Sequence, residues 1–149
     1  MIKVLIADDH PLIREGLLDL LAGEDDITVV AQCSDGAEVA EAAARTEPDV
    51  VLMDLQMPGM SGLEATRALR AAQPDVRVIV LTGSWSAAAT RQARALGVAG
   101  FLLKGDGGDV LSDLIRTVAG GGTAWRGAAG AGDRGAGRTT DDRASRVWP

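Results

Sequence analysis

The sequence predicts an α/β protein of five β-α units, a parallel sheet in a doubly wound arrangement with helices on both faces. Two observations point there. Short runs rich in Val, Ile and Leu, each bounded by Asp, Gly, Pro or Thr, alternate along the chain with longer segments of helical period. Such alternation needs crossover connections, which are right-handed and cover both faces of the sheet. The runs are also continuously apolar rather than alternating, the pattern of strands buried on both faces.

The first strand is expected over residues 3–7. Ile13, Leu17, Leu20 and Leu21 then share one helical face, at i, i+4, i+7 and i+8. A second strand at 27–31 leads into an alanine-rich helix, Gly36 to Thr46, which must end before Pro48. The third strand covers 50–53. Ser61 and Glu64 form a capping box that starts the next helix. After a fourth strand at 76–81, Ala89, Ala93 and Leu96 line a helix that Gly97 can stop. The fifth strand is expected at 100–103, and Leu111, Leu114, Ile115 and Val118 mark the last helix.

From about Ala119 the character changes. Gly120-Gly121-Gly122 opens a weakly basic stretch of Gly, Ala, Arg and Asp, with Trp125, Val147 and Trp148 as its large apolar groups. Such sequence cannot offset its own ordering entropy. Residues 1–119 are therefore read as one domain and 120–149 as a disordered or irregular tail.

Composition narrows the functional classes. A chain of 149 residues, 46% hydrophobic, suits one domain with a real core. The net charge of −6 argues against non-specific binding to nucleic acid or an anionic membrane. A lone cysteine, Cys33, rules out an intrachain disulfide framework and fits a reducing compartment. The apolar run at the N-terminus meets Asp8-Asp9 too soon for a signal peptide or a membrane span. A soluble, cytoplasmic protein is expected.

In an open parallel sheet, ligands bind beyond the carboxyl ends of the strands. The residues at those ends are Asp8 and Asp9, Asp54, Thr82 and Lys104. Two carboxylates about 4 Å apart repel by roughly 4 kcal/mol at an effective dielectric of 20. Three on one rim should therefore take up protons or a divalent cation. Hard oxygen ligands with room for water suit Mg²⁺. Asp54 is then placed to act as a nucleophile toward a phosphoryl group, with Lys104 as a clamp and the Thr82 hydroxyl as a donor. Asp8-Asp9 could instead be a helix N-cap, but Asp54 and Lys104 at the same rim favour the site. His10, the single histidine, is expected as a partly exposed loop residue beside the acidic pair, without a role. Cys33 and the cluster Met53, Met57 and Met60 are read as packing.

These strand ends, with the runs Ile6-Ala7-Asp8-Asp9-His10-Pro11, Val51-Leu52-Met53-Asp54-Leu55-Gln56-Met57-Pro58-Gly59-Met60-Ser61-Gly62 and Phe101-Leu102-Leu103-Lys104, resemble the receiver domain of two-component response regulators, in particular the NarL/LuxR-type branch. The resemblance covers residues 2 to about 119. It implies a flavodoxin-like (βα)5 fold with strand order 2-1-3-4-5. It implies that Asp54 is the phosphoacceptor and that Mg²⁺ is held by Asp9 directly, Asp8 through water, Asp54, and the Gln56 backbone carbonyl. Thr82 and Phe101 match the switch pair, and Lys104 the family's lysine. Phosphorylation would draw Thr82 inward, let Phe101 rotate, and reshape the face made by the fourth and fifth helices. The resemblance also implies a sensor histidine kinase as partner, a possible homodimer, and self-phosphorylation rather than turnover as the only catalysis. Gly105-Asp106-Gly107-Gly108 departs from the pattern and puts the start of the last helix in doubt.

Other classes fit less well. A haloacid-dehalogenase-like phosphatase needs a second Asp where Gln56 stands. No Gly-rich loop follows the first strand, as nucleotide binding would require. Receivers of this branch usually continue into a helix-turn-helix, yet the residues after Gly122 show no such pattern. DNA binding is therefore not expected of this chain. It reads either as a stand-alone receiver or as a truncated or frameshifted transcriptional regulator.

Overall fold

The computed structural model describes residues 1–105 and 108–125. Its elements are β1 (Ile2–Ala7), α1 (Pro11–Ala22), β2 (Ile27–Cys33), a 3₁₀ turn (Gly36–Glu38), α2 (Val39–Thr46), β3 (Val50–Asp54), α3 (Gly62–Ala72), β4 (Arg77–Thr82), α4 (Ala87–Ala95), β5 (Gly100–Leu103), α5 (Gly108–Ala119) and β6 (Ala124–Trp125). The sheet is parallel, in the order β2-β1-β3-β4-β5-β6.

The five expected strands and their order are present, and the expected total is corrected from five strands to six. Gly100 pairs with Ala124 and Phe101 with Trp125, while the Ala124 N–H donates to the Ala99 carbonyl at 2.8 Å. The added strand lies in the stretch read as tail. Trp125 is buried there, because one large aromatic side chain can dock a segment too glycine-rich to form a core of its own. Residues 126–149, where the rest of the expected tail falls, lie outside the described residues.

Local signals behave as their chemistry requires. The Ser61 hydroxyl accepts from the Glu64 N–H, and Glu64 Oε1 accepts from the Ser61 N–H, so the capping box of α3 is complete. Gly97, at φ +80, follows α4 in the left-handed region that suits glycine. α2 ends at Thr46 and is capped by Glu47, φ 50, just before Pro48.

Two apolar layers flank the sheet. One joins α1 and α5 through Leu17, Leu21, Leu111, Ile115 and Val118, with Ile13, Leu20 and Leu114 partly buried at its margin. The other packs Val39, Ala43, Leu69 and Ala93 of α2, α3 and α4 against the opposite face, with Met53 and Met57. Cys33 is buried in this second layer, and burial pushes its thiol up to about 11. β3 is buried along its whole length. β2 is not: it forms one edge of the sheet and is only half-buried over most of its length, which corrects the expectation of burial on both faces for every strand. No helix among the described residues is long and apolar enough to cross a membrane.

Candidate metal and phosphoryl site

Strand geometry delivers the site. β3 ends on Asp54 and β4 on Thr82, while Asp8 immediately follows β1 and Lys104 follows β5. The β3–α3 loop is held tight against its own strand: the Gly62 N–H donates to the Leu55 carbonyl at 3.0 Å. A Cβ on Gly62 would sit 2.1 Å from the Asp54 carbonyl oxygen, so only glycine permits this approach directly behind Asp54.

Asp8, Asp9, Lys104 and Asp54 meet as expected. Lys104 Nζ lies 2.7 Å from Asp8 Oδ2 and 3.4 Å from Asp54 Oδ1. Asp8 and Asp54 are almost completely buried, at 1% and 3% exposure. The Gln56 N–H donates to Asp54 Oδ1 at 3.3 Å, so the residue after next steadies one oxygen of the carboxylate. The other, Asp54 Oδ2, is buried and accepts no hydrogen bond, and the same holds for Asp9 Oδ1.

His10 is an exposed loop residue beside the acidic pair, as expected, but its ring contacts were not foreseen. Its Nδ1 lies 3.0 Å from Asp8 Oδ1, 3.1 Å from Asp9 Oδ1 and 4.0 Å from Asp54 Oδ2. A lone histidine carries no periodic signal; its only clue was the adjacent acidic pair. His10 also settles the capping alternative. It occupies the N-cap of α1, and no side chain caps that helix. Asp8 instead accepts from the His10 N–H at 2.9 Å.

Ligand atoms of Asp8, Asp9, His10 and Asp54 all lie within 4.8 Å of one another. A buried carboxylate oxygen without a donor is costly, and a hard divalent cation is the partner that such oxygens suit. The residues present fit Mg²⁺. Burial raises the Asp54 carboxyl above its ordinary range, and the nearby Asp8 charge adds to this against the opposing pull of Lys104. One ammonium does not compensate three carboxylates.

Thr82 is buried, and its hydroxyl is engaged locally: it donates to the Ser84 carbonyl at 3.1 Å and accepts from the Ser84 N–H at 3.3 Å. Phe101 is fully buried and stacks on Trp125, with ring centroids 5.6 Å apart and planes 11° from parallel.

Residues 4–116 match the family model described as the response regulator receiver domain. The chain is 42% identical over 118 residues to the response regulator GacA of Pseudomonas aeruginosa, a match covering 79% of this chain and 55% of that protein. It is 38% identical over 122 residues to the transcriptional regulatory protein LnrK of Bacillus subtilis, covering 82% and 56% respectively. The chain thus spans about half the length of the curated relatives it matches. Among solved structures, the signal receiver domain of the putative response regulator NarL from Mycobacterium tuberculosis superposes with a TM-score of 0.77 at 35% identity, covering 80% of this chain and 97% of that one. A LuxR-family two-component response regulator from Aurantimonas sp. SI85-9A1 gives 0.78 at 32%, covering 82% and 87%.

Proposed function

The chain belongs to the response regulator receiver domain family, among LuxR/NarL-type relatives, and from that premise we propose that it is a phosphorylation-operated switch whose acceptor is Asp54. The observation that carries this reading is the buried Asp54 carboxylate, held by Lys104 and the Gln56 N–H on one oxygen and left without a donor on the other.

The residues divide the work. Asp8, Asp9, Asp54 and the Gln56 carbonyl would hold Mg²⁺, which supplies positive charge to neutralise an incoming phosphoryl group. An Asp54 oxygen attacks phosphorus; the new O–P bond forms as the bond to the donor breaks, and the leaving group departs with that electron pair. The donor is the phosphohistidine of a sensor histidine kinase or a small phosphodonor. Lys104, already 3.4 Å from Asp54 Oδ1, pairs with a phosphoryl oxygen as negative charge accumulates there. Thr82 donates its hydroxyl to another oxygen and must leave Ser84 to do so.

That exchange supplies the switch. Movement of Thr82 changes the packing around Phe101 and hence the face formed by α4, β5 and α5, where a partner or a second copy binds. Shifting such an equilibrium from 1:99 to 99:1 takes about 5.5 kcal/mol of differential interaction. A few charge-assisted bonds to a dianion are of that order. Transcriptional regulation belongs to LnrK by name; for this chain the reading stops at the switch.

Intact-mass measurement after incubation with a small phosphodonor tests the proposal. Wild type should gain one phosphoryl group with Mg²⁺ present and none without it, and Asp54→Asn should gain none. Equal labelling of wild type and Asp54→Asn would refute the assignment.

A further inference from the structure

Trp125 lies beyond the last element expected from the sequence, yet it covers the residue assigned to the switch. One face of its indole stacks on Phe101, and Arg94 of α4 sits over the ring, its Cζ 4.1 Å from the centroid. Trp125 therefore ties α4 to β5 through the switch residue. Its position is fixed by β6, whose Ala124 N–H bonds to the Ala99 carbonyl. The docking depends on Gly100: a Cβ there would lie 2.6 Å from the Ala124 carbonyl oxygen. Thr82 meanwhile is bonded to Ser84, so both members of the pair are engaged away from the phosphoryl site.

We propose that Trp125 is a latch: stacked on Phe101 and under Arg94 it holds the unphosphorylated arrangement, and phosphorylation of Asp54 releases it together with β6. The inference rests on the receiver reading and adds to it a position that the domain match, ending at residue 116, does not include. Phe101 cannot rotate toward the space left by Thr82 while keeping an 11° stack on Trp125. The two arrangements therefore exclude each other, and whatever stabilises one disfavours the other. The segment that carries Trp125 is thereby coupled to the charge on Asp54. An aromatic stack with a cation over the same indole is strong enough to bias the switch measurably and weak enough for a phosphoryl group to break.

The test uses the full chain with Mg²⁺ and beryllium fluoride as the phosphoryl mimic, and fluorine NMR to report the bound anion. In a background of Trp85→Phe and Trp148→Phe, the Trp125 emission should shift to the red as the anion binds, and should not shift in Asp54→Asn. Trp125→Ala should bind the anion about three- to tenfold more tightly than wild type, because the competing arrangement has lost its stack. Gly100→Ala, whose added Cβ would meet the Ala124 carbonyl oxygen of β6, should do the same. If fluorine NMR shows the anion bound while Trp125 emission and the affinity of Trp125→Ala stay at wild-type values, the latch is refuted and the receiver reading survives. If wild type holds no anion, both fall.

Discussion

Two clusters in this molecule have nearly the same charge composition and opposite consequences. At the surface, Arg116 of α5 gathers Glu24, Asp26 and Asp113. At the sheet rim, Lys104 faces Asp8 and Asp54, with Asp9 alongside. Each sets three carboxylates about one permanent cation. The surface acids are 31% to 69% exposed and every one of them reaches the guanidinium. Arg116 holds the Asp26 carboxyl below its usual range, but water screens the whole group. At the rim the side chains of Asp8 and Asp54 are 2% and 3% exposed while that of Asp9 keeps 28%, the Asp54 carboxyl is pushed up rather than down, and buried oxygens lack donors. Burial, not charge count, separates a surface tie from a cluster whose charge is left uncompensated.

The comparison can be broken from either side. The largest effect is expected for Lys104→Met. Removing one member of a buried ion cluster should lower stability by about 3 kcal/mol in urea unfolding without metal. Phosphoryl uptake should slow by about 10² to 10³-fold. A loss below ~1 kcal/mol would mean that Lys104 is as screened as Arg116.

Next comes Asp9→Asn. Mg²⁺ at 100 times its dissociation constant should stabilise wild type by about 2.7 kcal/mol. The variant should lose most of that gain in a thermal scan at the same Mg²⁺ concentration. An undiminished gain would place the metal elsewhere.

Asp54→Asn should act with the opposite sign. Folding raises the Asp54 pKa, so the native state binds more protons than the unfolded chain, and ionising this group lowers stability as pH rises. Without Mg²⁺ at pH 7 the variant should be more stable than wild type by ~1 kcal/mol, roughly 4 °C in a domain of this size. The advantage should shrink as the pH falls through the raised native value, and vanish below the ordinary carboxylate value of 3.8, where Asp54 is protonated in the native and the unfolded chain alike. A variant less stable at every pH would contradict the desolvation argument.

The smallest effect is expected for Arg116→Met, a lowering of the midpoint by no more than about 2 °C that added salt erases.

Much of this was legible in the sequence, for an identifiable reason. Asp8, Asp54 and Thr82 each interrupt a Val/Ile/Leu run, and one-dimensional patterning locates the end of a buried parallel strand. The capping box at Ser61 and Glu64 and the stop at Gly97 are local chemistry, so they too could be read. Trp125 could not: a two-residue strand has no period, and its burial depends on Phe101 and Arg94, distant along the chain. The ring contacts of His10 follow from how α1 leaves β1, which no residue pattern encodes. That β2 lies at an edge, and is half-exposed for that reason, is a property of topology, and its apolar run looks like the others.

A backbone-amide NMR titration with Mg²⁺ tests the contrast between the clusters most directly. One saturable site is expected, with shifts centred on residues around Asp8, Asp9 and Asp54, abolished by Asp9→Asn and unchanged by Arg116→Met. Shifts centred instead on Glu24, Asp26 and Asp113, or a response that survives in Asp9→Asn, would contradict it.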